Sequence, residues 1–138
     1  MIKTLYACRN VLNTKDFIKF YDSQGLKLDN TLHVTLCYST TKFDWNSLSK
    51  PERNIIQVNN SVLRKHDLFG KKLVLKLNLS SLIVRHKEFR KQGASFDFPV
   101  YQPHISLTDS DKTNIDKIKP YNGKILLGAE IYEEIKED

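Results

Sequence analysis

The sequence predicts an α+β fold made of two pseudo-symmetric lobes of mainly antiparallel sheet, with helices outside and a central groove between the lobes. Three observations predict it. Leu73, Leu75, Leu77 and Leu79 alternate with more polar neighbours as a half-buried strand requires, and shorter apolar runs at 5–8 and 32–38 read the same way. Helical spacing follows the first strand of each half and stops at a glycine, Gly25 and then Gly93. Each half then reaches the same chemical string, His33-Val34-Thr35-Leu36 and His104-Ile105-Ser106-Leu107.

In chain order, the strand at 5–8 leads to Asn13 or Thr14, whose side-chain oxygens suit the free N–H groups at a helix start. Phe17, Ile18, Phe20 and Tyr21 recur at helical spacing before Gly25, and the strand at 32–38 carries the first string. Residues 39–72 read as loop, a short strand within 54–58, and a polar loop at 59–70. The second half repeats strand, helix (Leu82, His86 and Phe89 on one face), glycine and strand. After a polar stretch and the breakers Pro120 and Asn122-Gly123, residues 124–135 read as a last strand. At 138 residues a single domain is expected, with lobe one at about 1–60 and lobe two at about 61–138.

Hydrophobic content of 40% and charged content of 28% are those of a globular protein, and no apolar run is long enough to span a bilayer. No membrane association is expected. The start shows no secretory pattern, so a cytoplasmic setting is expected, with Cys8 and Cys37 as reduced thiols in strand-like stretches. The net charge of +6 is unevenly spread. Removing the last nine residues, which hold five carboxylates against Lys136 alone, leaves 21 basic and 11 acidic residues on 1–129, a balance of +10. Such a surface favours anionic ligands, phosphates among them.

On a strand, residues i and i+2 share a face, so each string sets an imidazole beside a hydroxyl. Two such strands side by side offer one substrate two imidazoles, one neutral and accepting a proton, the other protonated and donating one. Phosphodiester cleavage is chemistry of that kind. The catalytic candidates are His33, Thr35, His104 and Ser106. His66, in the charged run Arg64-Lys65-His66-Asp67, and His86, among Arg85, Lys87 and Arg90, lack the pattern and read as bystanders. No zinc-binding spacing, phosphate-cradling glycine loop or nucleophile elbow occurs, so neither metal nor cofactor is expected.

The doubled His-x-Thr/Ser in this repeat order resembles the two-histidine (2H) phosphoesterase superfamily. Leu5-Tyr6-Ala7, the string from Thr31 to Ser39, and Leu127-Gly128-Ala129-Glu130 look like the bacteriophage anti-CBASS phosphodiesterases. The resemblance implies degradation of the cyclic di- and trinucleotides that trigger bacterial abortive defence. It implies that Tyr6 stacks on a base or bonds a phosphate, and that Glu130 is a substrate-contacting acid, with Glu133 as its rival on the opposite face. Trp45, in the region where a mobile lid would fall, is a further substrate-binding candidate beside an ordinary core reading. Lys76, Arg85, Lys87 and Arg90 are candidate phosphate partners. RNA 2′,3′-cyclic phosphate ends or 2′–5′ oligonucleotides are alternative substrates, and a non-catalytic nucleotide-binding module is the remaining reading. The expected partner is a cyclic oligonucleotide, with no stable nucleic-acid complex; sequence leaves the oligomeric state open.

Overall fold

Side-chain alternation becomes strands β1 (Ile2–Val11), β2 (His33–Asp44), β3 (Ile56–Val58), β4 (Arg64–Phe69), β5 (Lys72–Leu77), β6 (His104–Asp109) and β7 (Ile125–Glu133). Helices α1 (Thr14–Asp22) and α2 (Ser80–Lys91) follow β1 and β5. The structure, a computed structural model, describes residues 2–29, 31–48, 50–109 and 115–135, so the end of the acidic tail at 136–138 lies outside the described residues. The strands form one sheet in the order β3-β7-β1-β2-β6-β5-β4, and every pairing is antiparallel. This is the α+β architecture read from the sequence.

The repeated helix stop is real at the level of single bonds. Gly25 (φ 80°) and Gly93 (φ 115°) occupy the left-handed region that side chains resist, and each lets the next residue turn back. Leu26 N–H then bonds the Tyr21 carbonyl at 3.0 Å and Ala94 N–H the Phe89 carbonyl at 3.1 Å, both five residues back. Asn13 does not cap α1; its side chain accepts from Leu126 N–H (3.0 Å) and donates to the Lys124 carbonyl (2.8 Å), tying the helix start to β7.

Each helix covers strands of the opposite half. Tyr21 of α1 reaches His66 on β4 (Oη to Nε2, 2.8 Å), whereas α2 packs on β2 and sends Arg85 to Glu130 on β7. Between helices and sheet lie Phe17, Tyr21, Leu82 and Phe89 with Val34, Leu36, Leu73, Leu75, Ile105 and Leu107, all essentially inaccessible. Burying each large side chain contributes about 1.5–3 kcal/mol. The opposite sheet face stays open.

Two expectations differ from this arrangement. Residues 125–133, assigned by position to the second lobe, pair with β1 and β3, so the halves of the sheet interlock rather than divide near residue 60. The polar stretch at 59–70 contains β4, an edge strand; its charges face solvent or partners while β5 supplies its ladder.

Candidate active site

The two sequence strings meet where the halves of the sheet join. The single register pair there is Val34↔Ile105. Because β2 and β6 run antiparallel, that register sets His33 across from Ser106 and Thr35 across from His104, all four on the face opposite the helices. The two imidazoles lie on one diagonal and the two hydroxyls on the other. No sequence argument supplied this arrangement.

A bulge in β2 sets their direction. Ala7 pairs with Cys37 but Cys8 pairs with Thr35, so Leu36 is an extra residue on β2. Leu36 and Cys37 are therefore both buried, and the alternation reverses phase between them. In an unbulged strand of the same length His33 and Thr35 would face the core while Tyr38 faced the groove. With the bulge, Tyr38, Thr35 and His33 share the open face with Tyr6, Cys8 and Asn10.

The electrostatics of the pair follow from burial and proximity. His104 Nδ1 lies 2.8 Å from the Gln102 carbonyl, which only accepts, so Nδ1 carries the hydrogen and Nε2 is left for a substrate. The His33 ring is hydrogen-bonded in the same way to the backbone of Thr31, again two residues earlier. Burial lowers the His33 pKa below 6.5 and the charge on His104 lowers it further, against the Thr31 bond. Burial also lowers that of His104, against the Gln102 bond. Two imidazoles that repel each other's charge favour a singly protonated pair.

Thr35, His104 and Ser106 line a cavity of about 780 Å³ together with Tyr38, Phe69, Lys72, Phe96 and residues 98–102; His33 lies outside that wall. Phe69 packs edge-on against the His104 ring at 4.7 Å between centroids. Tyr6 stands on the same sheet face, its ring 6.3 Å from that of His33 and 5.8 Å from that of Tyr38. Burial raises its hydroxyl pKa, with the Thr35 side chain pulling the other way.

Glu130 is not in the groove. It lies under α2 with its side chain fully inaccessible, held by Arg85 through two bonds (2.8 and 2.9 Å), by Glu52 N–H (3.0 Å) and by the Tyr132 hydroxyl (3.1 Å). Arg9, itself inaccessible, approaches to 3.9 Å. A carboxylate so enclosed cannot touch a substrate. Glu133, the rival, pairs with Tyr6 across β1 and β7 and shares its face. Trp45 likewise belongs to the helix side: its ring meets Tyr132 at 6.3 Å and Lys3 at 4.9 Å, so the core reading replaces the lid. Among the phosphate candidates, Arg85 is committed to this network and Lys76 to Asp67 at 2.9 Å.

His66 does not sit in solvent as its charged run suggests, and His86 lies on the buried face of α2 with Leu82 and Phe89. Both are buried, His66 against the Tyr21 hydroxyl and His86 with Nδ1 at 2.7 Å from the Leu36 carbonyl. The His86 ring stacks on Tyr101, 4.1 Å between centroids and 7° from parallel, and the Tyr101 hydroxyl donates to the Thr35 carbonyl at 2.7 Å. Two consecutive carbonyls at the bulge are thus fastened by two stacked rings. Glu133, Phe69, His86 and Tyr101 carry no motif; only the aromatic crowding of 96–101, just ahead of His104, was a signal.

Compared with known proteins, residues 3–138 match the family described as anti-CBASS protein Acb1. The chain belongs to the anti-CBASS protein Acb1 family. Relatives within the family include proteins of that name from Caulobacter sp. (strain RHG1), 35% identical over 98% of this chain, and Sphingomonas paeninsulae, 34% identical over 99%. The chain spans only 23% and 24% of those two proteins' lengths. One from Acinetobacter phage Ac42 is 35% identical over 55% of this chain and 49% of its own. A crystal structure of E. coli LigT complexed with 3′-AMP superposes with a TM-score of 0.60 at 13% identity, covering 99% of this chain and 97% of that one. That likeness concerns the fold. No helix among the described residues is long and apolar enough to cross a membrane.

Proposed function

We propose that the chain is a metal-independent phosphodiesterase that opens the 3′–5′ bonds of cyclic di- or trinucleotide second messengers, such as 3′,3′-cyclic GMP-AMP. Its setting is the cytoplasm of an infected bacterium, where loss of the messenger lets a phage evade CBASS defence. One observation carries the reading: in a member of the Acb1 family, two imidazoles and two hydroxyls alternate across one strand pair beside an open cavity.

The chemistry starts from the ribose 2′-hydroxyl beside a 3′–5′ phosphodiester. Neutral His33 takes its proton as O2′ forms a bond to phosphorus, and protonated His104 gives one to the departing 5′-oxygen. The products are a 2′,3′-cyclic phosphate and a 5′-hydroxyl. Negative charge grows on the non-bridging oxygens in the transition state, and Thr35 and Ser106 donate hydrogen bonds to them. Tyr6 and Glu133 contact the nucleoside.

Incubation with 3′,3′-cyclic GMP-AMP in excess chelator, followed by product analysis, tests this. Cleavage persists for the wild type and is abolished in His33→Ala and in His104→Ala, both still folded. A 2′-deoxy cyclic dinucleotide stays intact for want of the internal nucleophile. A metal requirement, or turnover of the deoxy analogue, overturns the mechanism.

A further inference from the structure

Segment 94–103, between α2 and β6, has no regular secondary structure, yet it is fastened at both ends. At one end Ser95 N–H donates to Ser39 Oγ at 2.9 Å, with the two hydroxyls 3.2 Å apart. At the other, Tyr101 stacks on His86 and bonds the Thr35 carbonyl, while Phe96 meets the His86 ring edge-on at 4.6 Å. Between these anchors the chain arches outward, and Phe98 and Val100 are 69% and 65% exposed. The Phe98 ring meets that of Phe96 at 5.7 Å.

An anchored arch that holds large apolar side chains in water loses the burial they would gain in the core. Phe96, Phe98, Pro99 and Val100 form one side of the same cavity that Thr35, His104 and Ser106 line. An apolar wall offers nothing to a phosphate. Of the parts of a nucleotide, the base is the one whose flat face such a wall receives. Among the described residues no carboxylate lines the cavity, Lys72 is paired with Asp29 and Asp109 (3.4 and 2.9 Å), and the wall of Phe96, Phe98, Pro99 and Val100 has no side-chain polar group to read a base edge.

We infer that Phe98, carried on this arch, is the stacking platform for one nucleobase of the substrate, accepting adenine and guanine alike. The inference rests on the nucleotide chemistry proposed above. The His86–Tyr101 pair holds the platform at a fixed height over the Thr35 strand, so base and phosphodiester are positioned by one unit.

The test uses Phe98→Ala with 3′,3′-cyclic GMP-AMP and 3′,3′-cyclic di-AMP. KM rises roughly tenfold for both, as loss of a base-stacking ring entails, while kcat is retained. Phe98→Tyr restores the wild-type KM. Binding is read separately in Trp45→Phe/Phe98→Trp on a His33→Ala/His104→Ala background, whose single indole is quenched as 3′,3′-cyclic GMP-AMP is added. Quenching without wild-type cleavage sustains the platform while overturning the catalytic reading. An unchanged KM in Phe98→Ala, a penalty confined to one base, or no quenching overturns the platform.

Discussion

Glu130 and Glu133 sit three residues apart on one strand, and substituting each by glutamine separates a structural acid from a substrate-facing one. Glu130 closes a bidentate pair with Arg85 and accepts from Glu52 N–H and the Tyr132 hydroxyl in a space that water does not reach. Burial alone would raise its pKa; the Arg85 bonds, helped by Glu52 N–H, reverse the sign and hold it below 4.5. Glu130→Gln keeps the shape and removes the charge, leaving Arg85 and Arg9 only the half-exposed carboxylates of Glu52 and Glu88. Removing one member of a buried pair costs about 3–5 kcal/mol. Against a total stability of about 5–15 kcal/mol that is a large fraction, and for a chain of this length it lowers Tm by roughly 10–20 °C. Arg85→Met/Glu130→Met recovers part of the loss, since an apolar pair of similar volume needs no counter-charge. Glu133→Gln, at an exposed position, leaves Tm within about 2 °C. It lowers kcat/KM by about tenfold or more, the loss of a hydrogen bond to a charged group. Thermal melts by circular dichroism at pH 7, with kinetics run below every melt, give both readouts. A Glu130→Gln protein that melts like the wild type, or that stays folded but loses its activity, would refute the assignment.

Other outcomes follow from the same geometry. Thr35→Val and Ser106→Ala each reduce kcat on the order of 10²-fold, as loss of one transition-state donor does, without lowering Tm; equal loss in Tm would mark them as structural. A 5′-bridging phosphorothiolate substrate, whose thiolate leaves without a proton, restores turnover to His104→Ala and not to His33→Ala; rescue of His33→Ala instead would exchange the two roles. All four histidines have pKa values lowered by burial below 6.5, so the unfolded chain binds more protons than the folded one as pH falls through that value. Their stabilisation is complete above 6.5 and is lost as pH drops toward the folded values. Melts from pH 8 to 5.5 should show a steady fall in Tm, and a flat profile would contradict the burial of these rings.

What was legible in the sequence was local. Both His-x-Thr/Ser strings read as strands because alternation within five residues is a property of the strand itself, and both helix stops read from one glycine each. Glu130 and Glu133 show the limit of that reading. Parity along β7 places them on opposite faces, but which face is buried is decided by Arg85, 45 residues away on a helix that crosses to the other half of the sheet. His66 and His86 show the same limit: the charged run around His66 suggests solvent and the face of His86 shared with Leu82 and Phe89 suggests burial, but neither names the partner, the Tyr21 hydroxyl and the Leu36 carbonyl, 45 and 50 residues off.

The bulge at Leu36 joins these levels. Its sequence trace is a doublet, Leu36-Cys37, where strict alternation calls for one apolar residue. Its local consequence is a reversal of phase that turns His33 and Thr35 out of the core. The bulge breaks the regular β1–β2 ladder, and two carbonyls there take side-chain partners instead: Tyr101 bonds Thr35 and His86 bonds Leu36. The groups that fasten the active strand are therefore those that hold up the aromatic arch. Shortening β2 by the Leu36 residue would make the β1–β2 ladder regular and leave His33 and Thr35 on the open face, but remove one of the two carbonyls that the stacked pair grips. The arch would lose an anchor while the reaction centre kept its face, although no residue that touches the substrate had been changed.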